Sequence, residues 1–145
     1  MTDETAEETP YMDGGDPMTP RTWTVELPPG LPLLNANGRM HWRIRHERTK
    51  AIRTAAWAAA RQANVPRLER AQVICEYRPP DRRRRDVHNL FGSAKAAVDG
   101  LVDARVLPDD SDEHLVGPDM RVGPVVPGGQ IVLHITALEA TDGNP

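Results

Sequence analysis

Residues 71–101 read AQVICEYRPPDRRRRDVHNLFGSAKAAVDGL, and three local regimes follow one another along them. Ala71 to Arg78 alternates Val73, Cys75 and Tyr77 with Gln72, Glu76 and Arg78, the period of a half-buried strand. Pro79-Pro80 breaks it, because proline withdraws the amide donor that a ladder needs. From Asn89 to Val102, Leu90, Ala94, Ala97 and Leu101 recur at steps of four, three and four, the spacing of a helix with one buried stripe. A strand, a charged loop and a helix therefore form the centre of the fold.

Working outward, Thr22 to Leu27 alternates Trp23, Val25 and Leu27 with Thr24 and Glu26, and Pro28-Pro29-Gly30 stops this first strand. A loop runs from Pro32 to Trp42. Thr49 to Asn64 sets Ile52, Ala55, Ala56 and Ala59 on one stripe, with Arg53 and Arg61 on other faces, and Pro66 ends this helix. Past the central helix, Met120 to Val126 reads as a strand. Gln130 to Leu138 reads as the last, after the turn signal Pro127-Gly128-Gly129. The order predicts a compact α+β (or α/β) domain: a small mixed, mostly antiparallel sheet with two main helices. Trp23, Trp42 and Trp57 are expected to be the bulky anchors of a core otherwise made of Ala, Val, Leu and Ile.

A chain of 145 residues is enough for one core. We place the domain at 21–140, between an acidic N-terminal tail at 1–20, expected to be disordered, and a short C-terminal tail at 141–145. The formal net charge of -3 is misleading as a whole-chain figure. Met1 to Thr19 holds Asp3, Glu4, Glu7, Glu8, Asp13 and Asp16 and no Lys or Arg, which leaves 18 basic against 15 acidic residues in the remainder. That body can be attracted to phosphate although the whole chain is acidic. The tail carboxylates either solvate the chain or compete with DNA for the basic surface. The single cysteine, Cys75, reads as a buried structural thiol. Without a leader or a long apolar stretch, we expect a cytoplasmic protein that does not enter a membrane.

Asp81-Arg82-Arg83-Arg84-Arg85-Asp86 sets four guanidinium groups between two carboxylates where a strand ends and a helix begins. A charged loop is the plain reading. The functional one is phosphate binding, for which the bidentate arginine fork is suited. A second basic stretch, Arg39, Arg43, Arg45, Arg48, Lys50 and Arg53, is interleaved with His41, Trp42 and His46. It reads either as a charged helix entry or as sequence-independent phosphate contacts. Within it, Trp42 is expected in the core sooner than stacked on a base. His114 and His134 show no ligand spacing and receive no role.

Asp86-Val87-His88-Asn89-Leu90, the Lys95-Ala96-Ala97-Val98-Asp99 run and the Asp109-Asp110 pair, following the arginine block, resemble the RusA family of Holliday-junction resolvases. The likeness is close over Pro80 to Val122 and looser over Pro28 to Arg43, where Asn35, Arg39, His41 and Trp42 resemble an Asn- and Arg-containing loop of the family. It implies a Mg²⁺-dependent (or Mn²⁺-dependent) endonuclease acting on branched DNA as a homodimer. Asp86, His88, Asp109 and Asp110 would be metal ligands, and Asp86, His88, Lys95 and Asp110 catalytic. Arg82, Arg83, Arg84, Arg85, Asn89, Arg39, Arg43 and Arg45 would contact DNA. Asp112 is an alternative ligand.

Two departures from the pattern stand out. His88 occupies the place of the second motif aspartate, which removes a charge and moves metal preference from Mg²⁺ toward Mn²⁺. Three additional residues separate Asn89-Leu90 from Lys95. In a helix these amount to about 300° of rotation, close to a full turn. Lys95 is then either a catalytic or phosphate-binding group, or a surface partner of Asp99 at i+4. Asp86 and Asp110 stand before and after the helix, and the expectation is that the return connection brings them to one end of the sheet. Two other functions fit the same residues: a binding protein for branched DNA whose metal site His88 has disabled, and a nuclease of flaps or forks in phage DNA processing.

Overall fold

The structure, a computed structural model, describes residues 19–139. The expected tails, apart from Thr19 and Pro20, lie outside the described residues. The elements are β1 (Thr22–Glu26), α1 (Trp42–Gln62), β2 (Ala71–Arg78), a 3₁₀ turn (Val87–Leu90), α2 (Phe91–Asp103), β3 (Leu115–Val122) and β4 (Gln130–Ala137). The strands form one sheet in the order β1-β4-β2-β3. β4 runs antiparallel to both β1 and β2, and β2 and β3 run parallel. This is the expected mixed, mostly antiparallel sheet with two helices.

A parallel pair cannot be closed by a hairpin; it needs a crossover, usually a helix. Residues 79–114 supply it: the arginine loop leaves the C-terminal end of β2, α2 returns along the sheet, and Leu115 begins β3 opposite Ala71. The two ends of α2 therefore lie at opposite ends of the strands.

The core lies between the helices and the face of the sheet that carries Val25, Val73, Cys75, Tyr77, Leu133 and Ile135. Ile52, Ala56 and Ala60 enter it from α1, and Ala94, Ala97, Val98 and Leu101 from α2. Alanine stripes bring the helices close. At Gly100 a Cβ would fall on the carbonyl oxygen of Arg53 and 2.7 Å from the Cβ of Ala56, so glycine is required where the helices cross. Cys75 is buried as expected, and desolvation pushes its thiol up to about 12, well removed from thiolate chemistry.

Three expectations need correction. α1 begins at Trp42 and not near Thr49, because Trp42 and Ile44, about 200° apart around the axis among charged neighbours, make no apolar stripe to read. The third strand is Leu115–Val122 and not Met120–Val126. Gly117-Pro118 hid it, yet proline is tolerated on an edge strand, and among the described residues β3 pairs only with β2. There the register shifts between Gln72 and Ile74, and Gly117 (φ 110°) packs against the carbonyl of Val73. Finally, of the three tryptophans only Trp23 packs against the core; Trp42 is 66% and Trp57 40% exposed. Alanine-lined helices meet too closely to admit an indole between them.

Candidate functional site

The arginine loop is shaped by its own first acid. Asp81 accepts from the backbone N–H of Arg83 at 2.9 Å and from the guanidinium groups of Arg83 (3.1 Å) and Arg85 (2.8 Å). The backbone hydrogen bond from Arg83 and the Arg85 contact hold its carboxyl below the usual range. Arg85 also donates to the carbonyls of Asp81 and Arg83, so two of the four arginines fold the loop. Among the described residues Arg82 and Arg84 have neither an ion pair nor a side-chain hydrogen bond, and both are exposed. They are the cations left for an outside anion.

Asp86 ends the loop as the N-cap of the 3₁₀ turn. Its Oδ1 accepts from the amide of His88 at 3.0 Å, and Nδ1 of His88 lies 3.3 Å from the same oxygen. One carboxylate thus fixes the entry to α2 and keeps the imidazole beside it, with both side chains open to solvent.

The loop before α1 forms the facing wall. Buried Ser93 accepts from the Leu34 amide at 2.8 Å and donates to the Leu34 carbonyl at 3.1 Å. The Ala36 amide donates to the Asn89 carbonyl at 2.8 Å, and Arg48 donates to the Leu33 carbonyl at 3.0 Å. Held by both helices, this loop brings Asn35 and Asn37 together with Arg83, Arg84, Arg85, Asp86 and Asn89 around an open cleft of about 420 Å³ that Tyr77 also lines. Asn35 and Asn37 are also a tight turn in themselves, the Asn37 amide donating to Oδ1 of Asn35.

Asp110 does not line this cleft. It is paired with Lys95, Nζ to Oδ2 at 2.9 Å, and the lysine holds the carboxyl below its usual range by that hydrogen bond and by charge. Lys95 is about 6 Å along the helix axis from Phe91, so the pair sets Asp110 beside the N-terminal half of α2. Asp109 instead caps its own turn: the Ser111 side chain and amide hold its carboxyl low. Among the described residues no three His, Cys, Asp or Glu groups converge as a ready metal cage. A hard, water-rich cation needs less, because Mg²⁺ keeps several waters and takes one or two carboxylates. Asp86 with His88 alongside fits that description.

Of the second basic stretch, Arg39, Arg43 and Arg45 are exposed, and none of them has an ion pair among the described residues. Arg53 is diverted to Asp103, 2.5 Å away, and ties the helices together.

His134, assigned no role from sequence, has one in packing. Its Nε2 lies 2.6 Å from Glu76, whose other oxygen accepts from Arg78 at 2.9 Å on the sheet face away from the helices. Burial pushes Glu76 up, but the hydrogen bonds from Arg78 and His134 outweigh it and the carboxyl is lowered. The register accounts for this cluster, since Ile74 is opposite His134 and Glu76, two residues further along β2 on the same face, is its diagonal neighbour. No helix among the described residues is long and apolar enough to cross a membrane. A scan against protein-family models returns no match for the chain, and no curated protein matches it.

Proposed function

We propose that this protein is a metal-dependent endonuclease that hydrolyses phosphodiester bonds in branched DNA, with four-way junctions as the leading substrate. The supporting observation is the cleft in which Asn35 and Asn37 face Arg83, Arg84, Arg85, Asp86 and Asn89. These are the two segments whose sequences resemble the RusA family, and packing joins them into one wall-to-wall site. Arg82 and Arg84 supply phosphate contacts, while Asp81 holds Arg83 and Arg85 in a fixed loop. Asp86 with His88 would hold Mg²⁺ or Mn²⁺, with Asp110 as a further ligand once released from Lys95, and the ion when bound would supply Lewis-acid neutralisation at phosphorus and activation of water. Lys95 is poised to neutralise phosphate charge once it parts from Asp110. A four-way junction has two symmetry-related cleavage points, so a homodimer with two-fold symmetry would match it.

The test is a titration of Mg²⁺ and of Mn²⁺ against end-labelled four-way junction, flap, fork and linear duplex. We expect metal-dependent nicking of the junction that Asp86→Asn abolishes. Equal cutting of linear duplex would overturn the branch preference, and nicking that survives Asp86→Asn would overturn the site. The grip of Lys95 on Asp110 favours a second reading, a binder of branched DNA without cleavage. In that case the junction is bound tightly and neither metal produces a cut.

A further inference from the structure

The first two turns of α1 bury nothing. Every residue from His41 to Glu47 is exposed, and the first buried side chain of the helix is Ile52. At this projecting end are Trp42, 66% exposed, and Ile44, 44% exposed. Folding does not ask for an indole here, where lysine or glutamate would give a better helix at no cost in core packing.

The surroundings of the indole are specific. The Arg43 guanidinium lies over the Trp42 ring at 5.4 Å from its centroid, and the His41 ring is stacked at 5.8 Å with an interplanar angle of 27°. Arg39, Arg45, His46 and Lys50 are nearby along the chain and exposed, the first turn of α1 holds no acid, and Glu47 is the one carboxylate of the segment. A π surface set among cations combines the two features used to hold a nucleic-acid strand without reading its sequence: a stacking platform and phosphate neutralisation.

The geometry points to Trp42 as a platform for an unpaired base, with Arg39, Arg43 and Arg45 on the phosphates of the same strand. The base must be unpaired or at a strand end, because within a duplex both faces of each base are covered by its neighbours. Position supports this choice of ligand. Arg48 of the same helix holds the Leu33 carbonyl, and the loop it holds carries the cleft residues Asn35 and Asn37. Trp42 is five residues beyond Asn37, a reach of at most about 18 Å of chain. A strand leaving the cleft covers that distance in about five stacked steps. The platform would thus hold a base unstacked at a branch point while the cleft holds the adjoining backbone. This inference rests on the nucleic-acid reading of the cleft.

The experiment measures binding of the full chain to single-stranded oligothymidylate and to a blunt duplex of equal length by fluorescence anisotropy, over a salt series. Trp42→Ala is expected to weaken single-strand binding by about 5- to 150-fold, with Trp42→Phe retaining most of it. Duplex binding should be unchanged, as should the thermal midpoint and the salt slope. Arg43→Gln with Arg45→Gln should instead lower the slope by about 0.7 for each phosphate that is no longer neutralised. Equal affinity of Trp42→Ala and the parent chain for the single strand would overturn the platform, as would an equal loss on duplex. So would binding to anionic lipid vesicles that depends on Trp42 while oligonucleotide binding does not. Junction cleavage by the same proteins separates the two proposals. Cleavage with single-strand binding indifferent to Trp42 sinks the platform alone; Trp42-dependent binding without any metal-dependent cleavage sinks the nuclease alone. No binding to any nucleic acid sinks both.

Discussion

Nζ of Lys95 lies 2.9 Å from Oδ2 of Asp110, a contact that ties the return loop of the crossover to the second turn of α2. The loop itself is held by backbone hydrogen bonds, the Ser111 carbonyl accepting from the amides of His114 and Leu115 and the Val106 carbonyl from that of Leu68, and the ion pair adds one link from this loop to the helix. It also makes the lysine a competitor of any cation that Asp110 is to bind.

Lys95→Ala should therefore lower junction cleavage by about 100-fold through loss of a charge-neutralising donor. At the same time, less Mg²⁺ should be needed for half-maximal rate, because Asp110 is released. The Asp110 carboxyl, depressed by the lysine, should return upward, moving the acid limb of the pH profile to higher pH. Folding should hardly respond. The pair is about two-fifths exposed, and such pairs contribute about 0.2–1 kcal/mol, present above the ordinary carboxylate pKa and lost as pH falls through the depressed one. Steady-state cleavage across metal and pH, with a thermal melt, checks all of these.

Asp86 carries both a cap and a charge, and two variants separate them. Asn keeps a side-chain acceptor for the His88 amide, so Asp86→Asn should melt like the parent chain while losing cleavage. Asp86→Ala should lose cleavage and also about 0.5–2 kcal/mol of stability. His88→Asp adds a second carboxylate beside the first and should shift the preferred metal from Mn²⁺ toward Mg²⁺, read from the ratio of cleavage rates in the two ions.

The four arginines should divide into two pairs. Arg82→Gln with Arg84→Gln removes guanidinium groups that have no partner among the described residues. The slope of log affinity against log salt on duplex arms should fall by about 0.9 for each phosphate left without its guanidinium, and melting should not change. Arg83→Gln and Arg85→Gln undo the Asp81 clasp, and should weaken binding beyond what the salt slope accounts for.

Gly100→Ala inserts a methyl group where Arg53 and Ala56 already touch the α2 backbone. Overpacking of this kind costs about 1–3 kcal/mol, and because the clash is with backbone we expect the upper end, measured by denaturant unfolding. Glu76→Gln should cost about 1–3 kcal/mol by leaving Arg78 and His134 with a neutral partner. Since the folded carboxyl is depressed, the difference between the two proteins should be full above the ordinary value of 4.5 and vanish as pH falls through the lowered one.

The sheet and the central helix were largely legible from sequence, and the reasons for success and failure are local. β2 alternates apart from Ile74 and is stopped by Pro79-Pro80, so its bounds could be read directly, and Leu90 to Leu101 keeps one stripe along α2. The start of α1 was invisible because amphipathicity is the signal, and a helical end that buries no face has none. β3 was misplaced because Gly117 and Pro118 interrupt the alternation. Residue type alone records neither that two alanine-lined helices approach too closely to admit the Trp57 indole nor that Trp42 is on a helical end that buries no side chain. At the site, Asp86, His88 and the arginine loop could be named from sequence. The facing wall of Asn35 and Asn37, and the Lys95 to Asp110 contact, depend on long-range packing that no local pattern encodes.

The two hydrogen bonds between Ser93 and Leu34, with that from Ala36 to Asn89, fasten an irregular segment to the start of α2. Amide protons at Leu34 and Ala36 should thus exchange with deuterated water about as slowly as those of β4. The groove between the asparagines and the arginines is thus set by folding, and under the proposed function a strand would have to bend to fit it.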